Sequence, residues 1–87
     1  VPDAPASLHL VHIEHDARTH YHRSHTEIYY ILDCSVDAAV EIDGVRTPVA
    51  PGQAVLIRPG VRHRAATPMQ ILNIVIPPFD PEDEWFD

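Results

Sequence analysis

The chain has 87 residues, enough for one small domain, and a domain of this size buries only about 60–65% of its unfolded surface, so its core is marginal without added support. Its single cysteine, Cys34, excludes an intrachain disulfide and with it the small secreted disulfide scaffolds. Six arginines and no lysine against thirteen carboxylates leave a net charge of −7, which argues against a nucleic-acid partner and, with lysine absent, excludes Schiff-base chemistry.

No run approaches the roughly 20 apolar residues of a membrane span, and no basic-plus-apolar leader is visible. The expected setting is therefore the reducing cytoplasm, with no membrane partner. Asp80, Glu82, Asp83, Glu84 and Asp87 place five of the negative charges in the last eight residues. Six of the seven histidines lie between His9 and His25, the strongest compositional signal in the chain.

In chain order, Val1–Ala6 holds two prolines and reads as an irregular lead-in. Ser7–His15 has strand-like content, with His9, His12 and His15 scattered over both faces. Asp16–Thr19 turns the chain into His20-Tyr21-His22, where alternation along an extended strand points both histidines the same way. Glu27–Leu32 reads as a buried strand with Glu27, Tyr29 and Ile31 on one face. Val36–Ile42 and Val45–Val49 flank Asp43-Gly44, a strong two-residue hairpin signal. Strands follow over Gln53–Ile57, Val61–Ala66 and Met69–Ile76, separated by Ala50-Pro51-Gly52, Arg58-Pro59-Gly60 and Thr67-Pro68. Pro77 onward cannot pair in a central strand, and the remaining tail is acidic with three aromatics, some of which are expected to dock on the domain or on a partner. No helix-period run of useful length occurs, so the pattern is all-β, and an antiparallel sandwich or barrel of roughly eight strands is expected. One domain over 1–87 is expected, with the barrel at 7–76 and the tail at 77–87.

A same-face histidine pair followed by a carboxylate is a ligand set suited to a divalent transition metal. His20-Tyr21-His22 with Glu27 after four residues, and Gly52 with Arg58-Pro59-Gly60 and then His63, resemble the two motifs of the cupin family. The resemblance runs from Ser7 to Ile76 and implies an antiparallel double-stranded β-helix, or jelly-roll barrel. It also implies metal ligation by His20, His22, Glu27 and His63. Four positions depart from the family pattern: Glu14 and Cys34 replace glycines, Arg58 a proline and Thr67 an asparagine. None is a ligand position in the family.

Three imidazoles and a carboxylate suit Mn, Fe, Co, Ni, Cu or Zn, and the spacing does not choose among them. His25 is a rival for the place of Glu27, or a residue supporting the ligands from outside. Tyr29 and Arg58 are candidate substrate contacts, against the plainer roles of core aromatic and solvated arginine. Cys34 reads as a small apolar filler. These residues admit a metal-dependent enzyme acting on a small oxygenated molecule (an oxygenase, isomerase, decarboxylase or lyase). They equally admit a non-catalytic small-molecule or sensor module, or a structural metalloprotein. Sheet edges lead to the expectation of a homodimer. Its expected contacts are Ser7–His15 and Met69–Ile76, with Trp85 and Phe86 packed on the partner, Asp83, Glu84 and Asp87 left solvated, and Arg62 and Arg64 paired with those carboxylates across the interface.

Overall fold

The computed structural model describes residues 4–87, so the lead-in expected over Val1–Ala6 lies partly outside the described residues. Among the described residues seven strands form, one fewer than expected: β1 (Ser7–Ile13), β2 (Thr26–Cys34), β3 (Ala39–Ile42), β4 (Val45–Pro48), β5 (Ala54–Ile57), β6 (His63–Ala65) and β7 (Met69–Ile76). A four-stranded antiparallel sheet runs β1-β7-β2-β5, and a three-stranded one runs β4-β3-β6. Ile31, Ile57, Met69 and Ile71 from the first meet Val40 and Ala65 from the second in one buried cluster, joined by Tyr29, Ala38 and Val49. The architecture is an all-β jelly-roll barrel.

Local chemistry accounts for the elements. Asp43 and Gly44 both take positive φ, 48° and 80°, the conformation a two-residue hairpin needs to match strand twist, and Ile42 pairs directly with Val45. In β2 the alternation holds: Glu27, Tyr29 and Ile31 are buried, while Tyr30 and Leu32 are exposed. Thr67, at the position of a family asparagine, accepts a hydrogen bond from the Ala39 N–H at 3.2 Å and ties the end of β6 to the start of β3. Cys34 is half-buried against the core, as a filler would be.

Two expectations are corrected. The segment around His20 and His22 makes isolated bridges, His20 to His63 and Tyr21 to Trp85, and no strand of its own. Its continuation is bent because the N–H groups of Arg23, Ser24 and His25 donate to the Asp83 carboxylate and not to a neighbouring strand. Met69–Ile76 is not an edge: β7 lies between β1 and β2 and pairs with both along its length.

The tail folds back on its own chain. Tyr21 and Trp85 exchange backbone hydrogen bonds of 2.9 Å in both directions. The guanidinium of Arg23 stacks on Trp85 at 3.7 Å and that of Arg18 on Phe86 at 3.9 Å. Arg62 pairs with Asp87 at 2.9 Å, and Arg64 with Asp16 and Glu41. The aromatic rings and arginines expected at an intersubunit contact are thus engaged within the chain.

The core sets a stability prediction. Ile31 is fully buried and Val36 fully exposed. Ile31→Ala should cost about 2–5 kcal/mol in urea unfolding, and Val36→Ala less than about 0.5 kcal/mol. Equal midpoint shifts for the two variants would contradict this packing.

Candidate metal centre

Four side chains from three places converge inside the barrel. His20 and His22 come from the bridged segment before β2, Glu27 from the start of β2, and His63 from the first residue of β6. One ligand atom from each lies within 4.8 Å of all the others. His63 reaches this position because the Arg58-Pro59-Gly60 turn reverses the chain after β5. Gly60, at φ 86°, donates its N–H to the His22 carbonyl at 2.7 Å. His20 and His63 then exchange backbone hydrogen bonds of 3.1 and 2.9 Å, which sets their rings side by side with centroids 4.4 Å apart.

The proton positions follow from the partners. His20 Nδ1 lies 2.9 Å from the Arg18 carbonyl, His63 Nδ1 lies 2.9 Å from the Val61 carbonyl, and His22 Nδ1 contacts the Asp83 carbonyl. A carbonyl oxygen only accepts, so each Nδ1 carries its proton and each Nε2 keeps a lone pair. The Nε2 atoms of His22 and His63 face Oε1 of Glu27, at close contact for His22 and 3.6 Å for His63. The other Glu27 oxygen accepts from the Asn73 amide at 2.6 Å. His22 Nε2, His63 Nε2 and Glu27 Oε1 are buried without a regular hydrogen-bond partner. Buried polar atoms are nearly always satisfied, and a cation between these three atoms would satisfy all of them. The donor set fits a transition-metal ion.

The electrostatics agree. Burial alone would raise the Glu27 carboxyl, but hydrogen bonds from His22 and His63 once their Nε2 atoms are protonated, together with the Asn73 amide, outweigh it and hold the group well below the usual carboxylate range. Burial lowers His20. At His22 burial is overcome by Glu27 and the Asp83 carbonyl, and the imidazole is raised. Tyr29 lies on the same inner face, its ring 5.9 Å from that of His63. Burial, reinforced by Glu27 and Glu84, pushes its hydroxyl far up, so it stays protonated.

His25 does not join the four. Its Nε2 accepts the Asp80 N–H at 3.1 Å, and its Nδ1 faces Asp83 Oδ2 at 3.7 Å, so this buried imidazole clasps the tail. Arg58 is exposed in the turn that abuts His22 and makes no ion pair among the described residues.

Three residues beside the site escape a reading of the sequence. Asn73 interrupts an apolar strand, a polar break that signals a buried partner. Asp83 and Glu84 belong to a tail that reads as solvated, yet Asp83 is buried and a Glu84 carboxylate oxygen stands 4.0 Å from His20 Nε2.

Comparison with known proteins follows the geometry. The Cupin domain model (Cupin_2) matches residues 8–75. A crystal structure of a protein from Planctomyces limnophilus is 48% identical, with a TM-score of 0.93 over 97% of this chain and 73% of that one. Pac13 of Streptomyces, a nucleoside dehydratase, is 18% identical, with a TM-score of 0.84 over 94% of this chain and 68% of that one. KdgF from Halomonas sp. is 18% identical, with a TM-score of 0.69 over 90% of this chain and 84% of that one. No curated protein matches the sequence. With the family model spanning β1 to β7 and a near-half-identical structure superposing on almost the whole chain, the protein belongs to the cupin domain family.

Proposed function

We propose that His20, His22, Glu27 and His63 hold one divalent transition-metal ion, and that the chain is a metal-dependent enzyme acting on a small oxygenated molecule. The observation that supports this most is the convergence of buried, otherwise unsatisfied Nε2 and carboxylate atoms whose far sides are fixed by hydrogen bonds. A metal held there would supply Lewis acidity towards an oxygen of a bound molecule. The chain's own residues supply the rest. Tyr29 keeps its proton and can donate a hydrogen bond to an oxygen of the bound molecule. The Glu84 carboxylate, at the edge of the site beside His20, can accept a proton from it. Arg58 can pair with an anionic substituent near the Gly60 turn. A small oxygenated substrate also agrees with the fold relatives named for such chemistry, a nucleoside dehydratase and a putative sugar phosphate isomerase.

The test begins with metal. His63→Ala should lose the ion and the stability that accompanies it, about 2.7 kcal/mol at a metal concentration near 100 times Kd. His9→Ala, whose imidazole bonds Ser7, should lose neither. Equal loss from both variants would show the site to be elsewhere. In the cobalt-substituted protein, a spectrum with exchangeable solvent ligands supports catalysis. A closed four-coordinate spectrum turns the reading towards a structural or sensor role.

Acid should release the ion, because only neutral imidazole ligates. His22 lies above the ordinary histidine value and His20 below it, so His22 takes up a proton before His20 as pH falls. Affinity measured by titration calorimetry should begin to drop above the free-histidine value of about 6.5 and fall more steeply below it. An affinity flat from pH 8 to pH 5 would contradict imidazole ligation.

The same reading includes a homodimer formed by the outer face of the four-stranded sheet. Leu8, Ile74, Ile28 and Leu56 lie side by side across all four strands, and Leu10, Leu72, Tyr30 and Ala54 form the next row. Leu8 and Leu10 are 65% and 66% exposed and Leu56 is 53% exposed. An apolar face this broad is unusual on a monomer, and two copies related by a twofold axis would cover it. Light scattering at micromolar concentration should give about twice the 9.8 kDa chain mass, and Leu10→Asp should halve it. A monomeric parent protein ends the idea.

A further inference from the structure

We infer that Asp83 is a positioning residue for His22: by docking the C-terminal tail onto the loop between His22 and Glu27, it fixes the His22 imidazole and makes tail docking and metal binding one coupled equilibrium. Its carboxylate accepts four hydrogen bonds. Oδ1 takes the Arg23 N–H at 2.9 Å and the Trp85 indole N–H at 3.0 Å, and Oδ2 takes the Ser24 N–H at 2.9 Å and the His25 N–H at 3.1 Å. Four donors use the whole accepting capacity of a carboxylate. Three of them are consecutive backbone groups of the loop that carries the chain from His22 to Glu27. The main-chain carbonyl of the same residue is the acceptor for His22 Nδ1–H. Asp83 therefore grips the loop with its side chain and the histidine with its backbone.

The neighbouring contacts make the docking cooperative. On one side the Asp80 N–H donates to His25 Nε2. On the other, Trp85 bridges to Tyr21, the residue between His20 and His22. Glu84 is carried between these two clasps, and this puts its carboxylate beside His20. When the tail lifts, His22 loses the acceptor that keeps its proton on Nδ1, and Arg23, Ser24 and His25 lose their common partner. His20 and His63 keep theirs, because Arg18 and Val61 are outside the tail. Linkage is reciprocal, so an ion that holds His22 by Nε2 must also favour the docked tail. The metal half of this inference rests on the proposed site; the orientation of His22 does not.

The experiment has two readouts. In metal-free protein at a pH where the imidazoles are neutral, side-chain nitrogen NMR should find His22 and His63 as the Nδ1–H tautomer. Asp83→Ala should lose that tautomer at His22 and keep it at His63, while the emission of Trp85, the sole tryptophan, moves to the red. With Zn²⁺ the same variant should bind about 10–100-fold more weakly than the parent, the range for loss of a residue that orients a ligand. Asp87→Ala, which removes only the pair with Arg62 at the end of the tail, should bind within about twofold of it. Asp83→Asn, which keeps the shape of the side chain, should move the His22 signal the same way by less, and it carries the test where Ala fails to fold. An unchanged His22 tautomer in a folded Asp83 variant overturns the inference whether or not metal binds. Parent-like Zn²⁺ affinity in that variant overturns the coupling. If the parent binds no Zn²⁺ but His22 still changes tautomer, the positioning role stands and the metal reading falls.

Discussion

The arrangement depends on three histidines that spend one ring nitrogen on the backbone. Once Nδ1 of His20, His22 and His63 is committed to the carbonyls of Arg18, Asp83 and Val61, the opposite nitrogen of each is a lone pair with a set direction. Glu27 opposes them, held by Asn73 from behind. A histidine whose Nδ1 were free could rotate or change tautomer, and the barrel interior would then contain buried imidazoles with no common target. Backbone carbonyls in a sheet and its turns do not move independently, so the barrel itself is the orienting device.

Gathering four ionisable side chains in a small interior carries a cost in desolvation. Glu27 meets it by drawing on neighbouring donors, and its carboxyl is held low as a result. His25, outside the four, is met at Nε2 by the Asp80 N–H, while its Nδ1 faces the Asp83 carboxylate without a hydrogen bond. The tail is therefore part of the interior chemistry despite its acidic sequence. It satisfies polar groups that the seven strands leave over, and the Arg23–Trp85, Arg18–Phe86 and Arg62–Asp87 contacts hold it down at the surface.

The barrel was legible in the sequence because strand alternation and turn chemistry are local. Val40 and Ile42, the Asp43-Gly44 turn and the inward set Glu27, Tyr29 and Ile31 each announce themselves within a few residues. The grouping of His20, His22, Glu27 and His63 was readable through two motif spacings, since a fixed number of residues along β2 and around the Gly60 turn gives a fixed displacement. Long-range side-chain-to-backbone bonds have no such signature. Nothing within a few residues of Asp83 says that its carboxylate will meet the N–H groups of Arg23 and Ser24 some sixty positions earlier. Of the two places open to the tail's aromatic rings, the domain itself or a partner, the structure shows contacts with the domain. In β1 the alternation runs against hydropathy: Leu8 and Leu10 mark the exposed face, and His9 and Val11 the inner one.

A zinc-soaked crystal examined by anomalous scattering tests the central claim most directly. The account predicts one strong peak inside the barrel, about 2.0–2.3 Å from Nε2 of His20, His22 and His63 and from a Glu27 oxygen, with the three Nδ1 atoms still on their carbonyls. An empty interior, or a peak held instead by His9, His12 or His15, would contradict it.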